Sequence, residues 1–130
     1  MYECTTNSIR IIVTPQYLDD DSRPEESYYV WAYHIVIENH GSETVTLRTR
    51  HWKITDARGR VQEVHGDGVV GEQPTLRPGE SYEYSSGAPL PTPSGFMSGS
   101  YWMETADGEA LEVRIPAFSL DSPHASNRRH

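Results

Sequence analysis

Val64-His65-Gly66-Asp67-Gly68-Val69-Val70-Gly71-Glu72-Gln73-Pro74 is the stretch on which the choice of fold turns. Gly66, Gly68 and Gly71 stand at G-x-G-x-x-G, the spacing of a dinucleotide-binding fingerprint. That fingerprint works where a strand feeds the glycines and a helix starts on them, so that the helix N-terminus holds pyrophosphate. A strand fits upstream, at Arg60-Val61-Gln62-Glu63-Val64. No helix can start downstream. Val69-Val70 is β-branched and stiff at χ1, Pro74 follows three residues after Gly71, and Pro78-Gly79 comes next. Without a helix there is no macrodipole to favour phosphate. Asp67, Glu63 and Glu72 add negative charge instead. The glycines therefore read as positions of positive φ or close backbone approach at a bend between strands.

Outward from this loop the chain alternates with period two and shows no helical stripe. Ser27–Glu38 is the strongest strand, with Tyr29, Trp31, Tyr33, Ile35 and Ile37 on one face. Val30, Ala32 and Val36 make its other face partly apolar, which predicts a central strand covered on most of both sides. Ile9, Ile11 and Val13 define a first strand that Pro15 closes or edges. From about Thr44 to Thr55, Val45 and Leu47 share one parity, whereas Trp52 and Ile54 share the other. A bulge between Arg48 and His51 is predicted, so that both sets can face one core. Ser81–Ser85 alternates through Tyr82 and Tyr84, and Ala88–Gly95, with three prolines, reads as a crossing loop. Gly99–Thr105 and the run Leu111, Val113, Ile115 flank Asp107-Gly108, a hairpin signal. Pro116 breaks that strand, and the apolar face shifts to Phe118 and Leu120. The prediction is an all-β domain over residues 1–120, an immunoglobulin- or fibronectin type III-like antiparallel β-sandwich of about seven or eight strands. A jelly roll or small barrel is the alternative. Residues 121–130 read as an unstructured tail.

The chain has 130 residues, enough for one core, and 3 Trp and 8 Tyr supply large buried surface. Cys4 is the only cysteine, so no internal disulfide is possible. The N-terminus lacks the basic and apolar regions of a signal peptide, and no apolar run is long enough to span a membrane. A cytoplasmic location is the expectation. The formal net charge of −8 argues against nucleic acid and anionic membrane surfaces as partners.

No catalytic constellation is legible. G-x-S-x-G is absent, and Ser85 and Ser86 have no histidine near them in sequence. His34, His40, His51 and His65 are scattered without metal-ligand spacing, and Asp19-Asp20-Asp21 lacks the pattern of a calcium loop. No metal ligand, cofactor or catalytic residue is assigned.

Several blocks together resemble one family. They are Arg50-His51-Trp52-Lys53-Ile54-Thr55-Asp56, the Gly66–Pro74 loop, Pro78-Gly79-Glu80, Tyr84-Ser85-Ser86-Gly87, Gly95–Tyr101 and Ile115-Pro116-Ala117-Phe118-Ser119-Leu120. In order and spacing, over roughly residues 8–120, the chain is similar to the bacterial ApaG proteins. The resemblance implies a fibronectin type III-like sandwich and an association with cobalt resistance and magnesium efflux. It also implies protein interaction, since similar domains occur in eukaryotic F-box proteins and in a DNA polymerase delta-interacting protein. A pyrophosphate or nucleotide site proposed for the family would fall on Gly66, Gly68 and Gly71. No catalytic residue carries over.

The expectation is a non-enzymatic interaction or regulatory module with an unidentified protein partner, a homodimer also being possible. Its candidate binding residues are Gly66, Asp67, Gly68, Val69, Val70, Gly71 and Glu72. The alternative is binding of a small anion, pyrophosphate or nucleotide, through backbone N–H groups of that loop. A divalent cation on the acidic surface is a third possibility.

Overall fold

A computed structural model describes residues 1–125. The chain forms β1 (Tyr2–Thr6), β2 (Ile9–Tyr17), β3 (Tyr29–Asn39), β4 (Val45–Asp56), β5 (Val61–Asp67), β6 (Thr75–Leu76), β7 (Ser81–Leu90), β8 (Ser94–Thr105) and β9 (Ala110–Asp121). They make two antiparallel sheets, ordered β1-β2-β3-β7 and β5-β4-β8-β9, with β6 added to β4. The all-β sandwich is as predicted. Nine strands form among the described residues instead of seven or eight, because β1 is five residues long with Tyr2 as its one large apolar side chain and β6 is only two residues long. No helix among the described residues is long and apolar enough to cross a membrane.

The core lies between the sheets. Inward residues of β3 alternate without a break, from Tyr29 to Asn39. Tyr33 meets Trp52 edge-on at 5.3 Å, and Trp52 meets Phe118 at 5.9 Å and 88°. Trp31 is buried and its indole N–H donates to the Asp121 carbonyl at 2.8 Å. Truncating one such aromatic to alanine costs about 3–5 kcal/mol. β3 lies between β2 and β7, as predicted for a central strand, and its outward set Val30, Ala32 and Val36 is half-buried, so the cover on that face is partial.

Both phase slips are resolved by bulges. Leu47 pairs with Met103 and Thr49 with Trp102, which leaves Arg48 as the extra residue, at the near end of the predicted interval. Val45, Leu47 and Trp52 thereby all reach the core. Pro116 does not end its strand. The β8–β9 register shifts between Met97 and Gly99, Pro116 falls in the irregularity, and Phe118 and Leu120 take over the core face. Pro15 does not close its strand: β2 runs on through it, and Pro15 pairs with Tyr33 on one side and lies on an open edge beyond the reach of β1 on the other, the second of the two readings. One other expectation needs correction. β7 continues through Ala88 and Pro89 to Leu90, so only Pro91-Thr92-Pro93 crosses between the sheets. Pro89 is tolerated because β7 is an edge strand.

Asp121 ends β9, and an Ala125 N–H to Ser122 carbonyl bond of 3.1 Å makes a turn after it. Of the tail predicted to be unstructured, residues 126–130 lie outside the described residues. The sheets are stitched along one side, where β1 runs beside β9. The Tyr2 hydroxyl accepts from Ser119 N–H, Thr6 Oγ1 accepts from Arg114 N–H, and Asn7, just after β1, donates to the Glu112 carbonyl.

Candidate functional site

Gly66 and Asp67 belong to β5 and not to a loop, which corrects the reading of the glycine stretch. Gly66 lies opposite Arg50, and a Cβ there would sit 2.7 Å from the guanidinium carbon. Its role is close approach. Arg50 Nη1 donates to the carbonyls of Asp67 at 3.1 Å and Gly68 at 2.8 Å. Gly68 has φ +61° and donates its N–H to the Arg48 carbonyl at 2.8 Å. Val69 and Glu72 then exchange N–H···O bonds of 2.8 and 2.9 Å around Val70 (φ +42°) and Gly71 (φ +83°). Two positive φ values are what a type I′ turn demands, usually from Asn-Gly. Valine is strained there. No helix follows Gly71; the next element is β6. The N–H groups of Gly68, Val69 and Glu72 are spent internally, and the carbonyls face a cation. At Asp67 and Gly68, whose carbonyls face Arg50, that polarity is opposite to the one an anion requires.

Arg50 also lies close to buried phenols. The Tyr84 and Tyr101 hydroxyls are 2.6 Å apart. Burial pushes the Tyr84 phenol up, and it pushes Tyr101 well above the usual range, against a small opposing pull from Arg50.

The arrangement that sequence spacing did not reveal lies on the outward face of the second sheet. Register across β5, β4 and β8 sets out rows: Asp67–Thr49–Trp102, His65–His51–Ser100, Glu63–Lys53–Ser98 and Val61–Thr55–Phe96. Each row shares a face, since residues directly opposite point the same way. The two histidines stack at 4.1 Å and 8°. His51 Nε2 donates to Glu63 Oε1 at 2.8 Å, and His65 Nε2 is 4.0 Å from the same oxygen. The hydrogen bond from His51, helped by the charges of His51, His65 and Lys53, outweighs the desolvation that opposes it and holds the Glu63 carboxyl below its usual range. An open depression of about 460 Å³ lies beside them, with Trp102 at its margin. These histidines are far apart in the chain, yet the hairpin register makes them neighbours. The signal available was the turn at Asp56-Ala57-Arg58-Gly59, because once it is placed the opposing residues follow by counting.

The first sheet assembles another group outside the predicted set. His34 Nδ1 is 2.8 Å from Ser85 Oγ, and His34 Nε2 is 3.3 Å from Glu83. The set has the composition of a catalytic triad. It lies on an open sheet face with the His34 and Glu83 side chains exposed, whereas nucleophilic catalysis relies on a water-excluded site with aligned donors.

Comparison with known proteins agrees with the fold. Residues 19–105 match the ApaG domain. The chain is 70% identical over 128 residues to Protein ApaG of Rhodospirillum centenum, covering 98% of each chain. It is 65% identical over 130 residues to Protein ApaG of Parvibaculum lavamentivorans, covering all of both. A crystal structure of an ApaA protein from Bordetella pertussis superposes with a TM-score of 0.86 at 48% identity, over 90% of this chain and 95% of that one. Since the likeness runs from end to end in sequence and embraces both sheets in structure, this chain belongs to the ApaG family.

Proposed function

We propose that the chain is a non-enzymatic, cytoplasmic protein-interaction module. Its partner docks on the outward face of the second sheet, next to the Val69–Glu72 turn and the open edge of β5. One observation carries this reading. Trp102, Phe96 and Val61, at 45%, 49% and 51% exposure, stand at the two ends of that face, with His51, Lys53 and Glu63 between them. Exposed tryptophan and phenylalanine are among the residue types that protein interfaces enrich. Among the described residues, the strands of the first sheet present no large apolar side chain as exposed as these; Tyr28, at 44% exposure, precedes β3. On this reading the link to cobalt resistance and magnesium efflux runs through the partner.

Capture from a lysate tests it with three baits: the unaltered chain, Phe96→Ser/Trp102→Ser, and Arg10→Ala on the opposite face. Species that the unaltered chain and Arg10→Ala hold, and the double variant loses, are the expected result. Equal capture by all three baits would overturn the reading, as would turnover of a metabolite by the purified chain.

A further inference from the structure

We propose that His51, Glu63 and His65 form a binding site for a single borderline divalent cation of the zinc class. The site is independent of the docking reading, since it asks for no partner.

The site is built by the hairpin. Asp56 Oδ1 accepts the N–H groups of Arg58 (2.8 Å) and Arg60 (3.0 Å), and Asp56 Oδ2 accepts from Arg60 Nε at 3.0 Å. With Gly59 at φ +82°, this fixes the turn and therefore the β4–β5 register. His51 is then placed directly across from His65, with Glu63 two residues further along the same face. Cross-strand neighbours on one face have Cβ atoms about 5 Å apart, which is within reach of a shared ion.

One ligand atom from each of the three residues lies within 4.8 Å of the others. Zinc bonds of about 2.0–2.2 Å to nitrogen and oxygen place tetrahedral ligands roughly 3.4 Å apart. The gap closes by side-chain torsion alone. Glu63 and His65 are more than half-exposed and His51 is about a third exposed, at 32%, and each imidazole turns about its Cβ–Cγ bond, opening the stack toward the carboxylate. Glu63 supplies a carboxylate oxygen, the one charged ligand of the three. Two imidazoles and one carboxylate suit zinc, nickel or copper better than magnesium, which wants an all-oxygen shell. Three protein ligands leave a fourth position for water or an incoming group. Lys53, opposite Glu63, opposes the cation and sets the affinity below that of a closed structural site.

Calorimetry with Zn²⁺ on the full chain, alongside NMR of the histidine ring nitrogens, tests the proposal. Saturable uptake of one ion is expected, with shifts at His51 and His65 and none of comparable size at His34 or His40. Losing a ligand should exceed the loss of an outer-shell partner, itself worth roughly 10–100-fold. His65→Gln and Glu63→Gln should each weaken Zn²⁺ at least about tenfold, while His34→Gln leaves it unchanged. Mg²⁺ should produce no saturable heat. Unsaturable Zn²⁺ uptake overturns the site, and so does uptake indifferent to His65→Gln and Glu63→Gln. Shifts confined to other histidines would overturn it as well.

Discussion

The two outward faces of the sandwich have similar strand geometry and opposite chemistry. On the first sheet, Arg10 bridges Glu3 at 2.9 Å and Glu38 at 3.2 Å, and His40 reaches the same Glu38 at 2.8 Å. Its outward positions are small, polar or half-covered. On the second sheet, Trp102, Phe96 and Val61 are left in water around a histidine stack. A face that only needs solubility is served by paired charges. Exposed tryptophan and phenylalanine add nothing to solubility, and on the proposed reading they are where a partner makes contact.

The largest effect should separate the sheets by backbone clearance. A Cβ on Gly99 of β8 would collide with the His51 carbonyl and press on the Trp52 ring, whereas one on Gly87 of β7 meets only the Trp31 carbonyl at 3.4 Å. Gly99→Ala should cost about 3 kcal/mol in urea unfolding, and Gly87→Ala should stay within about 0.5 kcal/mol of the parent. Equal costs would show that the second sheet is no more constrained than the first.

Next in size is the hydroxyl pair joining the sheets. Tyr101→Phe leaves the buried Tyr84 hydroxyl without its 2.6 Å partner and should cost about 1–2 kcal/mol, while Tyr84→Phe/Tyr101→Phe should recover most of it. Burial raises both phenols in the folded chain, so the unfolded chain ionises first. Their contribution is full below the unfolded pKa of about 10 and is lost as pH rises beyond it. The melting temperature should therefore fall above pH 10, and less steeply in the double variant.

Val70→Asn relieves a left-handed valine at the tip of the second sheet's edge and should stabilise by about 1 kcal/mol by thermal unfolding. A loss of stability would mean that the valine makes a compensating contact. The smallest effect belongs to the first face: Arg10→Ala should cost about 0.5 kcal/mol and fade further in high salt.

Alternation made β3 legible, and the phase conflict between Leu47 and Trp52 revealed the bulge before any coordinates. Asp107-Gly108 marked its hairpin, where Gly108 has φ +85°. What stayed hidden depends on pairing partners. Pro89 looked like a loop residue because a sequence does not say which strands are edges. Gly66 looked like a bend because the Arg50 side chain that needs its missing Cβ is distant in the chain. The histidine–glutamate group was invisible to ligand-spacing rules, which describe residues on one helix or one loop and not residues facing each other across two strands. β1 does alternate, with Tyr2, Cys4 and Thr6 half-buried against exposed Glu3 and Thr5, but five residues with a single large apolar side chain are too few to mark a strand.

That inconspicuous β1 has a consequence for how the chain matures. It precedes every other strand, yet the groups it grips across the seam, near Glu112, Arg114 and Ser119, belong to the final one. During synthesis, therefore, β1 can dock on β2 early, but the seam between β1 and β9 stays unzipped until β9 has left the ribosome.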